Sequence, residues 1–302
     1  MSKLPGCALL LVLSFGCLPK DTRPPPSRVL FTATPSAATQ AGALERETAD
    51  GWAITFERVL VSIGRASLDG ARCSVYSEAD YGRVLSLVGA PAGQKISEGY
   101  ALGVCDFGFN IGNASSDSLL GVGTTSDDFD FLRTAGRDRY GGPSGITLFV
   151  AGRASKAAQE KSFAWAFRGR ARYRECENIV DGVVERGLSL EQDGDVTVEV
   201  TLHAEALFAE DLAARDSALR FDAIASADAL GNGDGDVSLE ELSLVPLSDL
   251  ASGTAYSQSD ASATAVPLSS LEDFIYVGAA PNVARYQETG KCNLRLPDAP
   301  GN

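Results

Sequence analysis

Apolar residues in this chain recur at every second position, and that period constrains the fold more than any other feature. Trp52, Ile54 and Phe56 alternate with Ala53, Thr55 and Glu57, the pattern of a strand with one face buried. The apolar phase then moves to Val59, Val61 and Ile63, which predicts a β-bulge near Arg58. Phe163, Trp165 and Phe167 repeat the alternation. So do Val196, Val198, Val200 and Leu202, with Thr197, Glu199, Thr201 and His203 expected on the outer face. Further strands are expected around 84–88, 100–111, 146–150 and 163–174. Glycine-rich connections separate these runs, and no helix-length segments alternate with them as a parallel sheet requires. The predicted fold class is all-β: a β-sandwich of short antiparallel strands.

Residues 205–250 break this pattern and read as a small helical insertion. Helical spacing covers 205–212, 219–227 and 239–244, and Pro246 stops the last of them. A final short helix is expected at 270–277. The stretch 121–145 reads as a long exposed loop, rich in Gly, Asp and Thr.

The N-terminus carries an export signal. Lys3 precedes an apolar centre, Leu9 to Leu13, and Ser14-Phe15-Gly16 places small residues three and one before Cys17. The apolar run is about 10 residues, half of the roughly 20 that span a bilayer. The junction resembles the bacterial lipobox, which implies a signal peptide at 1–16, lipid attachment at Cys17 and a membrane partner through that lipid. Ordinary signal-peptidase cleavage at the same junction is the rival, and it leaves Cys17 free. Residues 18–49, with Pro24-Pro25-Pro26 and much Ser, Thr and Ala, read as a tether. The folded domain is then expected over 50–292, with a tail at 293–302. Leu18 is not the aspartate that retains lipoproteins at the inner membrane, which points to the outer membrane.

Cysteine parity favours the lipid reading. The chain has six cysteines, and Cys7 leaves with the signal. With Cys17 lipidated, Cys73, Cys105, Cys176 and Cys292 remain, an even set that reads as two disulfides in an oxidising compartment with three connectivities open. Cys105 and Cys176 lie in or beside predicted core strands, so the expected pairs are Cys105–Cys176 and Cys73–Cys292. Net charge is −14, and no basic stripe exists to neutralise phosphates, so no nucleic-acid partner is expected.

One segment carries metal-site chemistry. From Asn232 to Glu241 the chain resembles an EF-hand calcium loop. Asn232 falls at the third loop position, Asp234 at the fifth, Gly235 at the sharp turn, Ser238 at the ninth and Glu241 at the bidentate twelfth. Calcium takes six to eight hard oxygens, and alternating short acidic side chains around a glycine turn wrap them about a sphere. The strict first position falls on Leu230, which cannot ligate. Asp228 serves instead if Leu230-Gly231 bulges out. The candidate calcium ligands are therefore Asp228, Asn232, Asp234, Asp236, Ser238 and Glu241. The alternative is a solvated Asp/Gly turn between two helices.

Catalytic signatures are sparse. His203 is the sole histidine, placed at a strand end with Glu205 after it, and reads as a hydrogen-bonded surface residue. No nucleophile elbow, phosphate loop or dinucleotide fingerprint occurs. Among 40 acidic residues no spacing singles out a hydrolytic pair.

Several segments together resemble one family. They are Gly51-Trp52, Thr55-Phe56-Glu57-Arg58, the Phe163, Trp165, Phe167 run with Arg172-Tyr173 and Cys176, then Val200 to Leu212 through His203 and Phe208, and the 234–242 loop. Their order, from Trp52 to Glu241, is similar to the MbnP-like family of periplasmic proteins and lipoproteins. The resemblance implies an all-β domain and, in some members, copper handling through several histidines and a modified tryptophan. His203 is the matching histidine here. The expected function is an exported, lipid-anchored binding or envelope module, calcium-stabilised and non-enzymatic. A periplasmic copper-handling protein is the alternative, and a hydrolase a third.

Overall fold

The computed structural model describes residues 23–77, 81–137, 143–180, 183–212, 214, 216–250, 256, 268–288 and 290–296. Residues 1–22, with the expected signal peptide and the expected lipid site Cys17, and residues 297–302 lie outside the described residues. The chain is mostly β and forms one large, mostly antiparallel sheet.

Thirteen strands carry the argument: β1 (Ser27–Pro35), β2 (Ala53–Ser77), β3 (Gly82–Ser86), β4 (Gln94–Ile111), β5 (Leu148–Lys156), β6 (Gln159–Phe167), β7 (Ala171–Val180), β8 (Val183–Arg186), β9 (Leu188–Leu190), β10 (Asp195–Leu202), β11 (Asp236–Val237), β12 (Ala284–Tyr286) and β13 (Lys291–Arg295). Neighbours run β11-β6-β5-β2-β4-β1-β10-β12, with β3 on β2, β9 and β7 on β4, and β8 and β13 on β7. Only β1–β10 and β11–β6 are parallel among these pairs.

Two long strands hold the sheet together because bulges let each change partners. β2 pairs with β5 through Ala53–Val61, with β3 through Leu60–Gly64 and with β4 from Ile63 onward. Its register against β5 shifts between Phe56 and Arg58, where the apolar phase shift predicts a bulge. Gly64 packs where a side chain would collide with the backbone of Tyr81 and Gly82, at 2.5 and 2.4 Å. A residue with a Cβ there would push β3 off β2.

The strands expected at 84–88 and 196–202 are present within two residues, those at 100–111 and 146–150 are present but extend to Gln94 and to Lys156, and the run at 163–174 divides into β6 and β7. Trp52, Ile54, Phe56, Val59, Val61 and Ile63 all turn into the core, with Phe163, Trp165 and Phe167 beside them on the same face of the sheet, across β5. Phe208 and Phe221 from the helical region complete the cluster: Trp165–Phe208, Phe208–Phe221 and Trp52–Phe221 lie 5.9, 5.8 and 5.0 Å apart between ring centres. Those helical residues therefore close the core rather than decorate it.

Several expectations require correction, among them the tail assigned to 293–302, whose first residues belong to β13 and pair with β7. The tether assigned to 18–49 is folded from Ser27: β1 lies between β4 and β10, with Val29, Phe31 and Ala33 buried. Phe31 packs 5.4 Å from Phe107, and this apolar alternation outweighs the flanking Pro and Thr. The exposed loop assigned to 121–145 contains a helix, Ser126–Arg133, started by a Thr125/Asp128 capping box. Its Leu132 is buried with Leu60, Val84, Ile146 and Phe149 on the other face of the sheet.

The disulfides are Cys73–Cys105 and Cys176–Cys292, not the expected Cys105–Cys176 and Cys73–Cys292. Both link adjacent antiparallel strands. Cys73 stands opposite Gly103 in the β2–β4 ladder, two residues from Cys105. Cys176 and Cys292 lie on β7 and β13, beside the Glu177–Lys291 pair. Strand adjacency decides the pairing, and position along the chain does not reveal it.

Candidate metal-binding loop

The loop is entered from the helix Asp222–Leu230, here α1 of the site. Its first amides are capped from outside, since the Asp50 carboxylate accepts the Phe221 and Asp222 N–H groups at 2.8 and 2.7 Å. Asp222 in turn accepts the Trp52 indole N–H at 2.7 Å and the Lys156 ammonium at 2.8 Å. Burial works against the Asp222 carboxylate, but these two donors hold it below the ordinary carboxylate range.

Asp228 sits in the last turn of α1 and is 1% exposed. One of its oxygens accepts the Gly235 amide at 3.1 Å, and the other takes the ammonium of Lys161 from β6. The Lys161 hydrogen bond lowers the Asp228 pKa against the opposing effect of burial, with the Gly235 amide adding to the shift. Gly233 and Gly235 have φ of 70° and 94°, backbone that strains any side chain. Alternate side chains fold back over the turn: Asn232 accepts the Asp234 amide at 2.9 Å, and Asp234 accepts the Asp236 amide at 2.8 Å.

The exit is equally tied. Asp236 and Val237 pair in parallel with Ser162 and Phe163 of β6, and the Asp236 carboxylate accepts the Ser162 hydroxyl. The buried Trp165 indole donates to the Val237 carbonyl at 2.8 Å. Ser238 and Glu241 then form a capping box at the helix Leu239–Leu242. Glu241 accepts the Ser238 amide at 2.9 Å and, through its other oxygen, the Asn232 amide at 3.2 Å. A side chain at Gly231 would meet that oxygen at 2.2 Å, so glycine is what lets Glu241 reach beneath the turn.

Two of the six sequence-predicted ligands, Asp228 and Glu241, are thus buried, one at each end of the loop. Asn232, Asp234, Asp236 and Ser238 are exposed on the same loop. Leu230 is 59% exposed, turned outward, while Asp228 folds back onto the glycine turn. Among the described residues no three His, Cys, Asp or Glu side chains converge as a metal cluster. Lys161 is the participant that sequence reasoning misses, because it lies 67 positions from Asp228. The donor set is all oxygen, which suits a hard cation, and such an ion would take the place that Lys161 holds on Asp228.

His203 departs from its expected surface position. It is buried, with its amide on the Val283 carbonyl at 2.7 Å, because β12 and the segment before it cover this end of β10. Its two ring nitrogens lie 2.9 Å from Glu205 and 3.0 Å from Thr201. Glu205 also accepts the hydroxyls of Ser36 and Thr39 at 2.8 and 2.9 Å. Burial disfavours the Glu205 carboxylate, yet the His203 hydrogen bond and charge bring its pKa below the usual value. Hydroxyl, imidazole and carboxylate stand in the order of a hydrolytic triad. Thr201, however, is buried and also donates to the Arg285 carbonyl at 3.3 Å. A cavity of about 200 Å³, lined by Tyr173, Leu212, Asn282, Arg285, Tyr286 and Lys291 among others, does not include Thr201, His203 or Glu205 in its lining.

Comparison with protein-family models, with curated proteins and with solved structures gives no match for this chain.

Proposed function

We propose that this protein is an exported, lipid-anchored, non-enzymatic binding or envelope module whose 228–241 loop is stapled by calcium. The architecture in this reading is a β-sandwich, with β2 and β4 bending at their bulges to serve both layers. The observation that carries the calcium reading is the placement of Asp228. It accepts the Gly235 amide while Leu230 points outward, which supports the register in which Asp228 stands at the first loop position and Leu230-Gly231 is a two-residue insertion. Asp228 and Glu241 would supply carboxylate oxygens, and Asn232, Asp234, Asp236 and Ser238 the exposed remainder. The Lys161 contact favours a second reading of the same loop, in which an internal ammonium replaces the metal and the staple needs no ion.

Export is supported by the four cysteines of the domain, all joined in disulfides. Copper handling is less favoured. Copper(II) prefers several imidazoles and copper(I) prefers sulfur, whereas both nitrogens of the single histidine are engaged. The MbnP-like resemblance stays a proposal beside this reading.

Anchoring is tested by detergent phase partitioning of the expressed full chain. Wild type is expected in the detergent phase and outer-membrane fraction, and Cys17→Ser in the aqueous phase. Equal partitioning of the two would remove Cys17 as the anchor.

A further inference from the structure

β12 and β13 follow one another in the chain but join different neighbours. Tyr286 of β12 stands opposite Val200 on β10, and Leu294 of β13 opposite Tyr173 on β7. After β12 the backbone is strained: Gln287 and Glu288 are both left-handed, with φ of 45° and 59°, a conformation that persists only where the surroundings fix it. They do so here, since the Gln287 amide donates to the Glu199 carbonyl at 2.9 Å and the Gly290 amide to the Tyr286 carbonyl at 2.7 Å. A Cβ at Gly290 would meet the carbonyls of Tyr286 and Glu177 at 2.6 and 2.5 Å. Apart from a single bridge between Tyr286 and Gly290, no ladder joins β12 to β13 among the described residues. The Cys176–Cys292 disulfide ties β13 to β7, so the gap beside β12 has a fixed wall.

This gap holds the cavity of about 200 Å³. Tyr173, Tyr286, Leu212 and Leu294 give it apolar walls, and the two tyrosine rings stack on Phe109 and Phe107, with centres 4.3 and 5.8 Å apart. Its charged groups are of one sign. Arg285 and Lys291 bring positive charge to its edge, beside Tyr286 and Cys292, and no acidic side chain is among its described lining residues, in a chain of net charge −14. Lys291 also lies 3.4 Å from Glu177, which is outside the lining, and its side chain stays 67% exposed. Tyr286 is 3% exposed, and its hydroxyl has no hydrogen-bond partner among the described residues, whereas the Tyr173 hydroxyl donates to the Pro281 carbonyl at 2.5 Å. Burial alone pushes the Tyr286 pKa up to about 12, so this hydroxyl keeps its proton and stays a donor. An apolar cavity of about 150 Å³ takes one benzene. A somewhat larger one, with a donor in its wall and cations at its edge, suits a single ring that carries a carboxylate.

We infer that the cavity between β12 and β13 binds a small aromatic monocarboxylate, its ring against the apolar walls and its carboxylate toward the Tyr286 hydroxyl and the Arg285–Lys291 edge. This gives the binding module proposed above its ligand class, and rests on that reading in this respect alone, since it needs neither the calcium loop nor the lipid.

Calorimetric titration of phenylacetate into the purified, detergent-solubilised full chain gives the test, in calcium and in chelator. Saturable binding at one site is expected, with a Kd of about 0.1–1 mM for a ligand of about ten non-hydrogen atoms. Phenylacetamide, uncharged and of the same shape, should bind about ten-fold more weakly. Tyr286→Phe should weaken phenylacetate by about ten-fold through loss of one hydrogen bond to a charged group. If that variant does not fold, Lys291→Gln at its exposed site is read instead, with a loss of about three-fold. Amide resonances of Tyr286, Cys292 and Leu294 should shift with phenylacetate in wild type. They should not shift in Ala214→Trp, where an indole at an exposed wall position fills the cavity. No saturable binding, equal affinity for the amide, or resonance shifts that survive Ala214→Trp overturn the proposal. Phenylacetate binding that is unchanged in chelator, beside a melting temperature that ignores calcium, would support this site while removing the calcium staple.

Discussion

The ammonium of Lys161 rests on the buried carboxylate of Asp228, joining the sheet to the loop that follows α1. This contact makes Lys161 a rival of any ion at the loop. Lys161→Met should leave Asp228 buried without a cation and cost about 3 kcal/mol in chelator, since breaking one side of a buried pair is far more costly than never forming it. With calcium present the loss should be smaller, because the ion replaces the ammonium. Urea unfolding of both proteins in calcium and in chelator checks this. Equal losses in both solutions would show that Lys161 is the staple and the ion is not.

The Trp165–Val237 hydrogen bond ties the core to the same loop. Trp165→Phe keeps most of the ring but orphans the Val237 carbonyl, and should destabilise by about 1–3 kcal/mol. Hydrogen exchange should rise at Asp236 and Val237 before it rises on β1. Unchanged exchange there would mean that the β6–β11 pairing holds the loop without the indole.

Closing the 32-residue and 116-residue separations of Cys73–Cys105 and Cys176–Cys292 should stabilise by about 4 and about 5 kcal/mol through loss of unfolded-chain entropy. Replacing both cysteines of either pair by serine should lower the unfolding midpoint accordingly. Non-reducing peptide mapping should recover a 73–105 and a 176–292 link, and any 105–176 peptide would contradict the strand adjacency.

Glu205 sets part of the acid limb. Its folded pKa is below the unfolded one: burial opposes the charge, but the His203 hydrogen bond and charge, with its own backbone amide and the Ser36 hydroxyl, overcome it. Below-normal folded pKa means that the unfolded state binds the proton first. The contribution is therefore complete above the ordinary glutamate range and is lost as pH falls through the depressed value. Glu205→Gln should be less stable than wild type at neutral pH, and the difference should shrink as the pH falls below about 4. A difference that stays constant across that range would remove the carboxylate charge from the account.

Much of this architecture is legible from period-two patterning, because burial on one face of a strand leaves a mark at each second residue. The Arg58 bulge is readable for that reason, since a phase shift in the apolar residues is the bulge itself. β1 was hidden by composition: Thr32, Thr34 and Pro35 suit a tether, yet Val29, Phe31 and Ala33 alternate and are buried. The burial of His203 was not legible, because the element that covers it, near Val283, lies 80 positions away. The same holds for Lys161 and for the disulfide partners. Loop glycines and acids are written locally, whereas the groups that satisfy them arrive from other strands.

Thermal melting in calcium against melting in chelator tests the central claim most directly. If Asp228 and Glu241 bind the ion only in the folded chain, calcium in about 100-fold excess over its dissociation constant adds about 2.7 kcal/mol. The melting temperature should then rise by several degrees, and Glu241→Gln should abolish the rise. Identical curves for the wild type in the two solutions would contradict the calcium staple.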